Sequence, residues 1–445
     1  MSDFNSGRCL APHRRISTTQ SVADSEILRR ASAALGAGAA YGARRCHFTA
    51  PPAPSAQRSS AALHRRNGSP MIRVSRDSSA QVELVAGVER QPAKHTAGPG
   101  SERPPAAALD YPWAQAPGPG EVCPVAPGVY WLRMPLPFAL DHINLWLLED
   151  GAGWTVVDTG VARDDVKLLW DRLRGGPMGG RSILRVIVTH HHPDHLGLAG
   201  WLGRQADAPA WMTRTEWLTG TMLHADADAR LAAHQVDFFR RNGLDDERAR
   251  ALAERGNRYR RLVSPPPEQY RRLIDGDTII IGGRTWRVVV AQGHSPEHAC
   301  LHCEELRLLI AGDQVLPQIT PNVSVPAAEP QADPLALFLD SLGRLRALRE
   351  DTLVLPSHGR PFYGLRERID RVCDHHETRL AALAGVCDEP RSAADLLTVL
   401  FRRELDPHQL MFAMGEALSH LNHLEARGRL ARETDVRGIV HFRRA

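Results

Sequence analysis

Lysine is almost missing from this chain. Only Lys94 and Lys167 occur, and arginine carries the remaining positive charge. Long apolar runs are missing too: none reaches the roughly 18 residues of a membrane-spanning helix, so no membrane span is expected. The start, Met1-Ser2-Asp3-Phe4, lacks the charged and apolar regions of a secretory signal. Cysteine is scarce, scattered and odd in number, at seven residues. That excludes a disulfide framework and points to the reducing cytoplasm. Cys300-Leu301-His302-Cys303 has no second pair at matching spacing, so it reads as two thiols in a paired strand rather than a structural zinc site. No strand–Gly-x-Ser-x-Gly–helix nucleophile elbow is present. A basic excess is also lacking where it would matter. The net charge is +4, but residues 1–105 hold 15 basic and 7 acidic groups, which leaves the remainder at −4. The folded part lacks the basic footprint of a nucleic-acid binder, and no DNA partner is expected.

At 445 residues the chain has room for two globular units and a tail. Residues 1–107 are rich in Ala, Ser, Pro, Gly and Arg without a sustained apolar period, and a disordered tail is expected there. The arginine-rich, acid-poor start also fits an organellar targeting peptide, or a translation start at Met71 or later. From 108 onward, Val129–Arg133, Ile143–Leu148 and Trp154–Val157 read as strands. The third ends in Asp158-Thr159-Gly160. Asp158 reads as a buried acceptor that orients a ligand histidine, and as a cap for a helix over Val161–Leu173.

The richest stretch is Thr189-His190-His191-His192-Pro193-Asp194-His195. It follows the β-branched run Ile183–Val188, so it forms the loop at the carboxyl end of a buried strand, where α/β folds hold ligands. His190 and His192 can point the same way from extended backbone, and Asp194 and His195 then face a second point from a helix start. Imidazole and carboxylate together suit borderline divalent metals. After Ala210–Met212, residues 213–264 lose strand character and read as a helical insertion, with helices over Leu231–Arg241 and Asp245–Leu262. Its many charges read as a solvated face. Strands then resume at Asp277–Ile281, Thr285–Ala291, Ala299–Cys303, Leu306–Ile310 and Thr352–Leu355, with a helix over Pro334–Leu348. Three of these strands run into loops carrying His294, Asp313 and His358. With the first cluster, that makes seven ligands for two metals.

In this order, His190-x-His192-x-Asp194-His195, Gly293-His294, Gly312-Asp313 and His358-Gly359 resemble the metallo-β-lactamase superfamily, over roughly residues 115–363. The resemblance implies an α/β (α+β) class αββα sandwich over 108–364, with the site at one edge. It implies that His190, His192 and His294 hold one metal and Asp194, His195 and His358 the other, with Asp313 bridging. His191 falls at a variable, non-ligand position, and His298 takes a supporting role. Residues 365–445 resemble the winged-helix domain of one branch: a linking helix Arg366–Leu383, helices Ser392–Phe401 and Gly415–Ala426, and a hairpin within Gly428–Phe442. With 13 basic and 13 acidic residues there, and Glu416 and Glu425 on the recognition helix, phosphate contact is unfavourable. A wall over the cleft or a homodimer surface is expected instead.

The implied cofactors are two divalent ions, zinc first, with iron or manganese as alternatives. The implied chemistry is hydrolysis by a metal-bridging hydroxide, with Asp194 and Asp313 as the catalytic carboxylates. A small acyl thioester or ester is the expected substrate, as in glyoxalase II-like and thioesterase-like members, with Thr320 and Asn322 lining its pocket. The alternatives are an endoribonuclease acting on single-stranded RNA and a mononuclear iron sulfur dioxygenase.

Overall fold

Strands that are apolar on both faces need a covering layer on each side. The computed structural model describes residues 108–445 and has that architecture; the tail expected over 1–107 lies outside the described residues. Among the described residues, seven strands lie side by side in chain order: β1 (Val122–Ala126), β2 (Val129–Pro135), β3 (His142–Asp150), β4 (Gly153–Val157), β5 (Ile183–Ile187), β6 (Ala210–Met212) and β7 (Tyr270–Arg272). A second sheet holds β8 (Thr278–Ile281), β9 (Arg284–Ala291), β10 (His298–Cys303), β11 (Leu308–Gly312) and β12 (Leu353–Pro356), in the order β12-β11-β10-β9-β8.

Alternation along each strand divides the side chains between layers. Trp131 and Trp146 face inward and meet Trp286, Val288, Leu301 and Ile310 of the other sheet. Their neighbours Leu132, Ile143 and Leu145 face outward, onto Val166 and Trp170 of α1 (Asp164–Gly175) and Leu202 of α3 (Ala199–Ala206). Between these two helices lies the single turn α2 (Pro193–Leu196). Each such fully buried side chain contributes roughly 1.5–3 kcal/mol. Cys300 and Cys303 lie on opposite faces of β10, one in the outer core and one in the inner, so they cannot share a metal ion; both are free thiols.

The insertion between β6 and β7 is helical, as expected, but differently divided. It comprises α4 (Arg214–Ala225), α5 (Arg230–Arg241), α6 (Asp246–Ala253) and α7 (Arg258–Leu262). The single helix expected over 245–262 breaks because Gly256 turns left-handed and Asn257 starts a new helix, its side chain accepting from Arg260 N. The helix expected from Val161 starts only at Asp164, with Arg163 as its N-cap, so Asp158 does not cap it.

The outer face of the second sheet is covered by α8 (Pro334–Arg346), α9 (Leu365–Ala384) and α11 (Pro407–Ala426). Phe338, Ile369, Val372, Met414 and Leu418 share one apolar cluster with Cys300, Leu309 and Val354. The last residues form a small helical and hairpin unit, with α10 (Leu397–Leu400), β13 (Leu430–Thr434) and β14 (Val440–Arg444). The helix expected over 392–401 shrinks to α10. The Asp395 carboxylate instead accepts from the Ser392 backbone N–H and hydroxyl and holds a turn there. The helix expected from Gly415 begins earlier, at Pro407, behind an Asp406–Gln409 capping box. Among the described residues, no helix is long and apolar enough to cross a membrane.

Strand direction places the site. β4 and β5 are parallel, and β9, β11 and β12 run the same way because two antiparallel pairings and one parallel pairing relate them. Each of these five strands leads into a loop that carries a site residue. The loops meet at one edge, where Thr189 O accepts from Ala299 N and Ser357 O accepts from Asn144 N.

Candidate metal centre

The seven expected ligands converge there into two groups. His190, His192, His294 and Asp313 form one, and Asp194, His195 and His358 the other, each with ligand atoms within 4.8 Å of one another. In the first, His190 Nε2 lies 2.9 Å from His192 Nδ1 and 3.3 Å from His294 Nε2. In the second, Asp194 Oδ2 lies 3.3 Å from His358 Nε2 and 3.6 Å from His195 Nε2. Asp313 faces both. Its Oδ1 is 3.4 Å from His358 Nε2 and 3.5 Å from His195 Nε2, and its Oδ2 is 3.5 Å from His294 Nε2.

Three of the histidine ligands are aimed by a partner behind them. His195 Nδ1 donates to Asp158 Oδ2 at 2.8 Å, and the same carboxylate accepts from the backbone and hydroxyl of Thr189. Asp158 is thus the orienting acceptor expected from the sequence. It holds that position from a left-handed backbone, φ 61°, a conformation in which Asp is tolerated. His294 Nδ1 donates to Asn322 O and His358 Nδ1 to His142 O, each at 2.8 Å. The remaining nitrogen of each ring therefore presents its lone pair to the centre. His298 stacks on His190 with ring centroids 4.8 Å apart, and its Nε2 accepts from Asp313 N. Gly312 makes this contact possible: at φ 53° it would carry a Cβ only 2.3 Å from His298 Nε2.

Thr320 and Asn322, expected to line the pocket, are half-buried; Asn322 reaches the centre through its carbonyl, and its side chain accepts from Ser324. His191 turns away from the ligands toward Glu216, a residue the sequence did not flag. The buried Glu216 carboxylate accepts from His191 N, His191 Nδ1, Ser295 Oγ and Glu297 N, tying the first metal loop to the His294 loop. Burial opposes its charge, yet His191 and the surrounding donors outweigh burial and hold the carboxyl at about 2. His142 and Asn144 on β3 were also missed as site residues. His142 Nε2 accepts from Gly359 N, and Asn144 Nδ2 donates to Pro356 O and Gly359 O, which fixes the loop carrying His358. An Asn inside the apolar run Ile143–Leu148 was the available signal.

The donor set fits a pair of divalent cations. His195 Nε2 and Asp313 Oδ1 are buried without a hydrogen-bond partner, and both face the centre. Such atoms are costly unless something binds them. Burial would push His358 down, but Asp313 and Asp194 outweigh it and raise it to about 10. The two carboxylates thus attract positive charge to the spot.

Comparisons with known proteins show the family. Residues 139–358 match the model of the metallo-β-lactamase superfamily, and residues 380–445 that of the metallo-β-lactamase-like C-terminal domain. A β-lactamase domain protein from Burkholderia ambifaria is 49% identical with TM-score 0.71, covering 76% of this chain and 98% of that one. The chain belongs to the metallo-β-lactamase superfamily. It is a metal-dependent hydrolase of that superfamily by its matches and its ligand clusters. The “Probable metallo-hydrolase YqjP” of Bacillus subtilis is 25% identical over 300 residues, covering 66% of this chain and 91% of its own length. The acyl-coenzyme A thioesterase MBLAC2 of Gallus gallus is 25% identical over 281 residues, covering 61% and 90%.

Proposed function

We propose that the chain hydrolyses a small acyl thioester or ester at a dinuclear metal centre. The observation that carries this reading is Asp313, whose two oxygens face the two ligand groups separately. His190, His192 and His294 would hold one ion, and Asp194, His195 and His358 the other. When bound, two divalent ions bring the pKa of water toward neutrality and polarise an acyl oxygen. The chain's own residues do the rest. Asp158, His142 and Asn322 fix the imidazole tautomers, and His298 fixes Asp313 through its backbone. Asp194 is the more open of the two carboxylates, and its oxygen receives the proton released as water adds to the acyl carbon. The C–S or C–O bond then breaks, giving a carboxylic acid and a thiol or alcohol. A thiolate leaves with little acid assistance, which suits a site whose ionisable groups are committed to ligation. The similarity to an acyl-coenzyme A thioesterase supports the thioester over the oxygen ester.

The test is a panel of thioesters, lactones, phosphodiesters and β-lactams, with elemental analysis of the same preparation. Thioester turnover with two divalent ions per chain, lost on chelation and restored by metal, is expected. Preference for phosphodiesters, or full turnover by metal-free protein, would refute the reading.

A further inference from the structure

The helical insertion reads from sequence as a solvated face, but part of it lines a cavity. Arg255, Arg258, Arg261 and Leu262 line an open depression of about 320 Å³, with no carboxylate among the lining residues. The arginines are only partly committed. Arg255 donates to Pro407 O and to His408 Nδ1, and Arg261 donates to Arg255 O. Arg258 has no ion pair with any described residue. The acid acting on Arg255 is Asp406, whose carboxylate already accepts from His408 N and Gln409 N at the start of α11. Three guanidiniums therefore surround one open space, and each raises the energy of the others.

Two further observations give the cavity a ligand and a direction. An aromatic cluster begins where the arginines end: His408, bonded to Arg255, stacks on Phe138 at 5.6 Å and meets Phe412 edge-on at 4.9 Å. All three rings are half-exposed. Guanidinium forks match phosphate oxygens, and flat half-exposed rings match a base. The cavity also adjoins the centre. Tyr259, between Arg258 and Arg260 on α7, donates to His191 O in the first metal loop at 2.5 Å. Phe138 lies on the loop joining β2 to β3, four residues before His142, whose carbonyl aims His358.

We propose that Arg255, Arg258 and Arg261 form a phosphate-ester subsite that holds the thiol half of the substrate, a thiol carrying phosphate groups and a nucleotide base. This rests on the thioester reading and adds the class of leaving group. The phosphates sit among the guanidiniums and the base lies against the Phe138–His408–Phe412 cluster. The thioester carbon then reaches the metal loop past Tyr259.

The experiment uses the metal-loaded full chain and its R258A/R261A variant. The kcat/KM for acetyl-coenzyme A is divided by that for the uncharged acetyl ester of N-acetylcysteamine. We expect this ratio to fall at least about tenfold in the variant, mostly through KM. Calorimetry with coenzyme A, 3′,5′-adenosine diphosphate and pyrophosphate should show the two nucleotides binding the parent protein, and binding weakening in the variant. Pyrophosphate binding alone would assign the cavity to free anions and refute the nucleotide-bearing thiol. An unchanged ratio with unchanged coenzyme A binding would overturn the subsite and leave the thioesterase reading standing. Coenzyme A binding that depends on the arginines, in a protein that hydrolyses no thioester, would overturn the thioesterase reading instead. Tighter arginine-dependent binding of a single-stranded RNA oligonucleotide than of coenzyme A would overturn both.

Discussion

The Asp158 carboxylate lies 2.8 Å from His195 Nδ1, and both side chains are fully enclosed. It stands at the end of β4 and His195 on the turn α2, so one hydrogen bond joins two elements and aims a ligand. Asp158→Asn keeps a residue that tolerates the left-handed backbone but removes the charge. Metal affinity should fall by about 10–100-fold, read by competition with a chromophoric chelator, with the circular dichroism spectrum unchanged. Unaltered affinity would show that His195 needs no such orientation.

His192→Ala and Asp313→Ala remove a ligand each. Turnover should be lost in both. Elemental analysis should show less than the parent metal content, most severely for Asp313→Ala, because that carboxylate faces both groups. If both variants retain full activity, the dinuclear chemistry is wrong.

Glu216→Gln tests the tie between the two metal loops. The amide places an N–H where the carboxylate met donors from His191, Ser295 and Glu297. Loss of about 1–3 kcal/mol in urea denaturation is expected, because buried donors are left without an acceptor. A change below about 0.5 kcal/mol would place Glu216 among inert surface positions.

His376 and His420 carry a pH dependence remote from the metal centre. His376 Nδ1 faces His420 Nε2 at 3.1 Å, and His420 Nδ1 donates to Glu416 O. Burial first, then the His420 ring and neighbouring positive groups, holds His376 at about 2. Burial first, with Arg379 assisting against the Glu416 hydrogen bond, holds His420 at about 4. In the unfolded chain both titrate near 6.5. Between the folded and unfolded values the unfolded chain binds more protons, so stability is full above pH 6.5 and falls as pH drops. At pH 5.5 each ring should account for about 1.4 kcal/mol of that fall. His376→Leu should flatten the pH dependence of the urea midpoint relative to the parent; parallel profiles would contradict the buried neutral pair.

The seven ligands were legible because residue type carries their chemistry, and each follows an apolar strand that pattern alone reveals. Asp158 was legible for the same reason, whereas His298 was expected only from the family resemblance. Glu216 was not: it is one acid on a helix that turns this residue, rather than a leucine, inward, so no apolar period marks α4. β1 escaped because Pro124 interrupts it, which an edge strand tolerates and a pattern search rejects. β7, Tyr270-Arg271-Arg272, is a short and mostly exposed edge with no alternation to read. The arginine-lined depression was invisible because charge on a helix looks alike whether it faces bulk water or lines a binding groove.

The apolar cluster behind the second sheet has a consequence for dissecting the molecule. Phe338 and Leu309 come from the half that carries the ligands, and Val372, Met414 and Leu418 from the last eighty or so residues, yet all lie in one continuous interior. Cutting the chain after Gly364 would therefore not release a catalytic module. It would lay bare the hydrophobic back of the strands that end in His294, Asp313 and His358, so the metal-binding edge rests on sequence that supplies none of its ligands.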